Sequence, residues 1–116
     1  CEYIRKRYGA LPGLITQNMP RLKNKLEDWG IHDVVICASF NKIGYLMSPS
    51  VESYIESSSM NDSSKYQLMA MSVLASGALP ASEAFDFIKK QNIQSVVFGA
   101  SSESHIKQTA SMLSSI

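Results

Sequence analysis

Four short polar stretches, each following an apolar run, are where this sequence can do chemistry. They are Thr16-Gln17-Asn18, Ser39-Phe40-Asn41-Lys42, Ser72-Val73-Leu74-Ala75-Ser76-Gly77 and Gly99-Ala100-Ser101-Ser102. Hydroxyls, amides and glycine suit recognition of an anion by hydrogen bonds; they supply no acid–base couple. The last stretch is the most pointed. Gly99 lets backbone come near a ligand, and Ala100, Ser101 and Ser102 open onto a helix whose free amides and positive dipole end favour a phosphate. Ser76 and Gly77 form the partner turn. Asn18, Ser39, Asn41, Lys42 and Ser72 complete a shared ligand face. The competing reading of all four stretches is turn and cap chemistry, which favours the same residue types. Lys42 is the one charged side chain directly after an apolar run, placed to hold an anion or form a Schiff base. His32 and His105 fall outside these stretches. The acidic residues fall on helix-like segments. The cysteines, Cys1 and Cys37, have no metal-binding or redox spacing, so no metal site is expected.

The elements that must position these stretches follow from hydrophobic periodicity. Leu11 to Thr16, Val34 to Ala38, Tyr66 to Met71 and Ser95 to Phe98 are apolar runs without polar alternation, as in parallel strands covered on both faces. Helical spacing separates them. Asn18 caps a helix with Pro20 in its first turn, carrying Met19, Leu22, Leu26 and Trp29 and ending at Gly30. Ser48-Pro49 restarts a helix with Val51, Tyr54 and Ile55 on one side. The serine-rich segment from Ser57 to Ser64 reads as a surface loop. Pro80 opens a helix burying Ala84, Phe85 and Ile88. Ser101 or Ser102 caps the last helix, which is expected to bury Ile106, Ala110 and Leu113. The chain opens on Cys1 inside a helix-like stretch with no cap before it, which predicts the tail of a helix and a piece of a longer chain.

This order, the tail of a helix and then βα four times, predicts an α/β fold. Residues 1–116 form a single unit: four parallel βα units, the C-terminal half of a TIM (β/α)8 barrel, with a small open doubly wound sheet as the alternative. No G-x-G-x-x-G follows the first strand, which weighs against a nucleotide-binding open sheet. A half barrel leaves two strand edges and an inward face uncovered, with Leu14, Val35, Ile36 and Leu68 named for that apolar surface. Self-association or pairing with the absent N-terminal half is the expected remedy.

Composition bounds the class. The 116 residues are 45% hydrophobic and 18% charged, values of a globular chain. Net charge is +1, and the short cluster Arg5-Lys6-Arg7 reads as a solvated helix end, so no nucleic-acid partner is expected. No apolar stretch reaches membrane-spanning length and no signal peptide is visible, giving a cytoplasmic, non-membrane setting as the expectation.

The second half of the chain resembles the aldo-keto reductase family. Met71-Ser72-Val73-Leu74-Ala75-Ser76-Gly77-Ala78-Leu79 is similar to the family's turn after the seventh strand, S-P-L-A-x-G-x-L. Ser95-Val96-Val97-Phe98-Gly99-Ala100-Ser101-Ser102 is similar to its eighth-strand turn, V-I-P-G-A-S-S. Phe40-Asn41 resembles the tyrosine-asparagine pair after the sixth. Val73 stands where the family has proline, Phe40 where it has tyrosine, and Gln108-Thr109 where it has glutamate-asparagine. The resemblance implies a TIM barrel, a phosphate-type loop at Gly99 to Ser102 and, in the parent protein, an oxidoreductase using NADP. The family's catalytic aspartate, tyrosine, lysine and histidine belong to the first half of the barrel, outside this sequence. The expected ligand is a phosphorylated small molecule or a dinucleotide. The alternatives are an aldolase or lyase barrel acting through Lys42, and a non-catalytic, self-associating structural module.

Overall fold

A computed structural model describes residues 1–99 and 102–114. Helix α1 (Glu2–Tyr8) precedes four strand–helix units: β1 (Gly13–Thr16) and α2 (Met19–Asp28), β2 (Val34–Ser39) and α3 (Val51–Ser59), β3 (Tyr66–Met71) and α4 (Ala81–Lys89), β4 (Ser95–Val96) and α5 (Glu103–Ser114). The strands make one parallel sheet in the order β1-β2-β3-β4, the order expected of consecutive units in a half barrel. The fold is α/β and compatible with half a β/α barrel.

Local chemistry sets the element ends. The Asn18 side chain accepts a hydrogen bond from the Arg21 amide, capping α2, with proline in the first turn. Helix α3 starts two residues later than Ser48-Pro49 suggests. Ser50 is its cap, and its hydroxyl accepts from the Ser53 amide at 3.2 Å. That helix also runs on through Ser59, into the segment expected to be a loop. The hydroxyls of Ser58 and Ser59 bond back to the carbonyls of Ile55 and Glu56 instead of competing with the helix, and Ser58 is fully buried. Strand β1 begins at Gly13, after Pro12, whose carbonyl accepts from the Val35 amide. Strand β4 is paired only over Ser95–Val96, extended on either side by bonds from the Gln94 amide to the Leu68 carbonyl at 3.0 Å and from the Val97 amide to the Ala70 carbonyl at 2.9 Å.

The two faces of the sheet differ. Residues aligned across a parallel ladder share a face. Leu14, Ile36 and Leu68 form one row, and Ala38, Ala70 and Val96 another. This face packs under the helices, with Ile36 and Leu68 each 1% exposed. Met19, Leu26, Tyr54, Ala84, Phe85 and Ile88 cover it from α2, α3 and α4. Phe40 locks the strand end in place, its ring edge-on to Tyr54 and tilted on Phe87, both at 5.8 Å. The other face carries the row Ile15, Cys37, Met69 and Ser95, flanked by the row Val35 and Gln67 and by Ser39 and Met71. Among the described residues no helix lies over it: Ile15 is 75% exposed and Gln67 and Ser95 are exposed, although Cys37 and Ser39 are buried. The shortest dimension of the molecule, 21 Å, is that of a sheet plus one helical layer.

Two expectations are corrected here. Leu14, Ile36 and Leu68, named for the uncovered face, belong to the helix-covered one; of that set only Val35 faces outward, beside Ile15 and Met69. In apolar runs without polar alternation, composition carries no parity signal, and the ladder register decides the face. The last helix buries none of its residues: Ile106 is 48% exposed, Ala110 is exposed and Leu113 is only half-buried. It lies beyond the edge strand, where little sheet remains to cover it.

Candidate functional site

The carboxyl ends of β2, β3 and β4 surround a groove of about 470 Å³. It is lined by Tyr45, Leu46, Ser72, Val73, Leu74, Ser76, Gly77, Phe85, Val97, Phe98 and Gly99. Ser72, Ser76, Gly77 and Gly99, drawn from two turns more than 20 residues apart, therefore meet in one concavity. Its volume falls within the usual range for a small-molecule site.

The groove's walls are set by unusual backbone. Leu46, Ser72, Ala75, Ser76 and Gly77 all take left-handed conformations, with φ between 49° and 89°. For the non-glycine residues each such geometry costs of the order of 1 kcal/mol or more and persists only where the surroundings enforce it. Asn41 holds the backbone at two of these places, beside Leu46 and at Ser72. It is fully buried, donates from Nδ2 to the Tyr45 carbonyl at 2.9 Å and to the Ser72 carbonyl at 3.2 Å, and accepts from the Tyr45 amide at 2.9 Å. One side chain thus ties the turn after β2 to the end of β3. Named from the sequence as part of the ligand face, Asn41 makes these bonds to the chain itself and does not line the groove.

The other expected site residues separate. Ser39 is 1% exposed, and its hydroxyl has no hydrogen-bond partner among the described residues. Lys42 turns away from the groove and pairs with Glu83 of α4 at 2.6 Å. Asn18 caps α2 at the far end of the sheet. Ser102 is exposed, and its hydroxyl accepts from the His105 amide at 3.3 Å, capping α5. Ala100 and Ser101 lie outside the described residues. Gly99 does not need glycine for backbone reasons: its φ is not left-handed, and an added Cβ would meet nothing within 4 Å.

Sequence reasoning missed the aromatic walls. Tyr45 and Phe98 are 40% and 39% exposed in the groove, together with Leu46 and Val97. Phe98 reads as the end of an apolar strand; only the two-residue ladder of β4 releases it to the rim. Tyr45 follows Gly44, whose φ of 84° marks a turn, and that glycine was the available signal.

Among the described residues no charged side chain lines the groove. Among titratable groups nearby in the fold, burial pushes the Cys37 thiol above its ordinary value. Burial likewise raises the Tyr54 phenol, against the opposing effect of its bond from the Met19 amide. Both stay neutral and packed. Among the described residues no cluster of three His, Cys, Asp or Glu side chains could hold a metal, and no helix is long and apolar enough to cross a membrane.

The fold and groove thus define a parallel α/β unit with a mixed apolar and hydroxyl-lined cleft at its strand ends. Compared with known proteins, the chain matches no family model, no curated protein and no solved structure.

Proposed function

We propose that the chain is the C-terminal half of a (β/α)8 barrel of aldo-keto reductase-like type, holding a phosphorylated ligand or a nicotinamide dinucleotide at its strand ends. The observation that carries this is the convergence of Ser72, Ser76, Gly77 and Gly99 in one groove at the ends of β3 and β4. Ligands of parallel β/α proteins bind at that end of the sheet. The residues fit one ring and one phosphate: Tyr45 and Phe98 offer flat apolar faces, and the serine hydroxyls and turn amides offer hydrogen bonds. A nicotinamide dinucleotide would bring hydride chemistry. This chain's contribution is orientation, through the Asn41 tie, and partial exclusion of water by the aromatic walls.

The test follows backbone amides by NMR while inorganic phosphate or NADPH is added. The largest shifts are expected at Ser76, Gly77, Gly99 and Ser102. Gly99→Val should abolish them without unfolding, because a side chain there meets no neighbour yet obstructs the groove. Shifts centred on Arg5 to Arg7 would mean that the anion samples surface charge and would defeat the reading.

A second reading, a self-associating structural module, rests on the uncovered sheet face with Ile15 at 75% exposure. Sedimentation decides it: a single monomer at high micromolar concentration removes it. Nothing in the surroundings of Lys42 favours the Schiff-base alternative, since its ammonium is held by Glu83 outside the groove.

A further inference from the structure

A second groove, of about 500 Å³, lies at the opposite edge of the molecule. It runs along the outer side of α2, from the end of β1 to the residue that closes the helix. Arg21, Lys25 and Trp29 line it at successive turns, i, i+4 and i+8, so they form one stripe about 12 Å long. Thr16, Asn18 and Ser48 form its polar end.

The stripe is unused by the fold. Arg21 and Lys25 are exposed, and neither takes part in an ion pair or side-chain hydrogen bond among the described residues; the remaining lysine of α2, Lys23, is by contrast buried against the Ser57 carbonyl. Trp29 is 65% exposed and stacks on no ring or cation among the described residues. An indole left open beside two unpaired cations combines the two components of nucleotide recognition. Guanidinium and ammonium groups meet phosphate, and a flat ring meets a base. The groove is open and shallow, and Trp29 is its one large exposed apolar side chain. That suits one phosphate and one base better than insertion into a lipid surface, which needs several protruding apolar side chains.

We propose that this face of α2 binds a 5′-nucleotide, its phosphate between Arg21 and Lys25 and its base stacked on Trp29. The nucleotide is either free or the terminal unit of a single strand. The site is separate from the groove at β3 and β4, so the two readings fail independently.

Trp29 is the only tryptophan, so one indole NH resonance reports the site directly. AMP, adenosine, inorganic phosphate and a short single-stranded oligonucleotide are titrated in turn against the full chain. AMP should shift the indole resonance together with the amides of Arg21 and Lys25. Adenosine and phosphate should each bind at least about tenfold more weakly. Arg21→Gln and Lys25→Gln should each weaken AMP binding about tenfold, with a lessened salt dependence. Trp29→Ala should remove the base contribution, so that AMP binds no better than phosphate. Lys107→Gln, on the opposite edge, should change nothing. An oligonucleotide binding more than about tenfold tighter than AMP identifies the strand terminus as the source; equal affinities identify the free nucleotide. The proposal is overturned if adenosine matches AMP, if both charge-removing variants bind AMP within twofold of the parent, or if the indole resonance stays fixed up to about 10 mM AMP.

Discussion

The two faces of this sheet share the same four strands and differ in nearly everything else. Under the helices, Ile36, Leu68 and Ala70 are 1% exposed and interlock with Tyr54, Phe85 and Ile88. On the opposite face, one residue along each strand, Ile15 and Gln67 meet solvent, and exposure falls only toward Cys37 and Ser39. Stability in this molecule therefore resides on one side, while the other is a prepared but unfilled surface. Alternation along a strand thus divides a single apolar run between a covered face and an open one.

The largest expected effect comes from Ile36→Ala. It should destabilise by about 2–5 kcal/mol in denaturant titration, because the covered face cannot collapse around the lost volume. Met69→Ala, one row over on the open face, should cost under about 1 kcal/mol in a monomer. Equal costs would show that the open face is packed in solution and would end the comparison.

Tyr54→Phe should follow at about 1–3 kcal/mol. Its hydroxyl accepts from the Met19 amide at 3.1 Å, and removing it leaves a buried donor unpaired at the start of α2. A shift in midpoint without a change in slope is the expected signature.

Alkaline titration sharpens the contrast between faces by chemistry. Cys37 and Tyr54 both have folded-state values raised by burial. Each contributes stability that is complete below its unfolded value and is lost as pH climbs through the folded one. Stability should therefore hold to about pH 9 and then decline, the open-face thiol acting first and the core phenol later. Cys37→Ala should delay the first part of that decline.

The smallest effect is expected at Ser39. Its buried hydroxyl has no partner among the described residues, so Ser39→Ala should be neutral or stabilising by up to about 1 kcal/mol. A loss of more than that would reveal a bond that the hydroxyl makes in solution.

Much of the fold is legible in the sequence because βα alternation is a one-dimensional signal. The cap at Asn18, the helix start at Pro80 and the parallel order follow from residue type and spacing. Which side of the sheet Leu14 or Ile15 occupies does not, since both are apolar and only ladder register separates them. The candidate groove was half legible. Its glycines and serines stand at strand ends, where turn chemistry advertises them. Its aromatic walls do not, because Phe98 is released by the early end of a ladder and Tyr45 is held by bonds to a side chain four residues away. Asn41 shows the same limit from the other direction. A polar residue after a strand announces hydrogen bonds without saying whether their partner is a ligand or the chain itself.

Helix α1 buries none of its residues, and its Arg5 guanidinium donates to the carbonyls of His32 and Asp33, just ahead of β2. Seven residues are too few to sustain a helix alone in water. On the timescale of hydrogen exchange, the helix and the sheet should behave as two molecules sharing a chain. The amides of α1 should lose their protons within the dead time of mixing, through openings that leave β2 untouched. Those of Ile36 to Ala38 should wait for the whole domain to come apart. A protease that cuts after arginine would find the same boundary, trimming the first residues while the four strands remain intact.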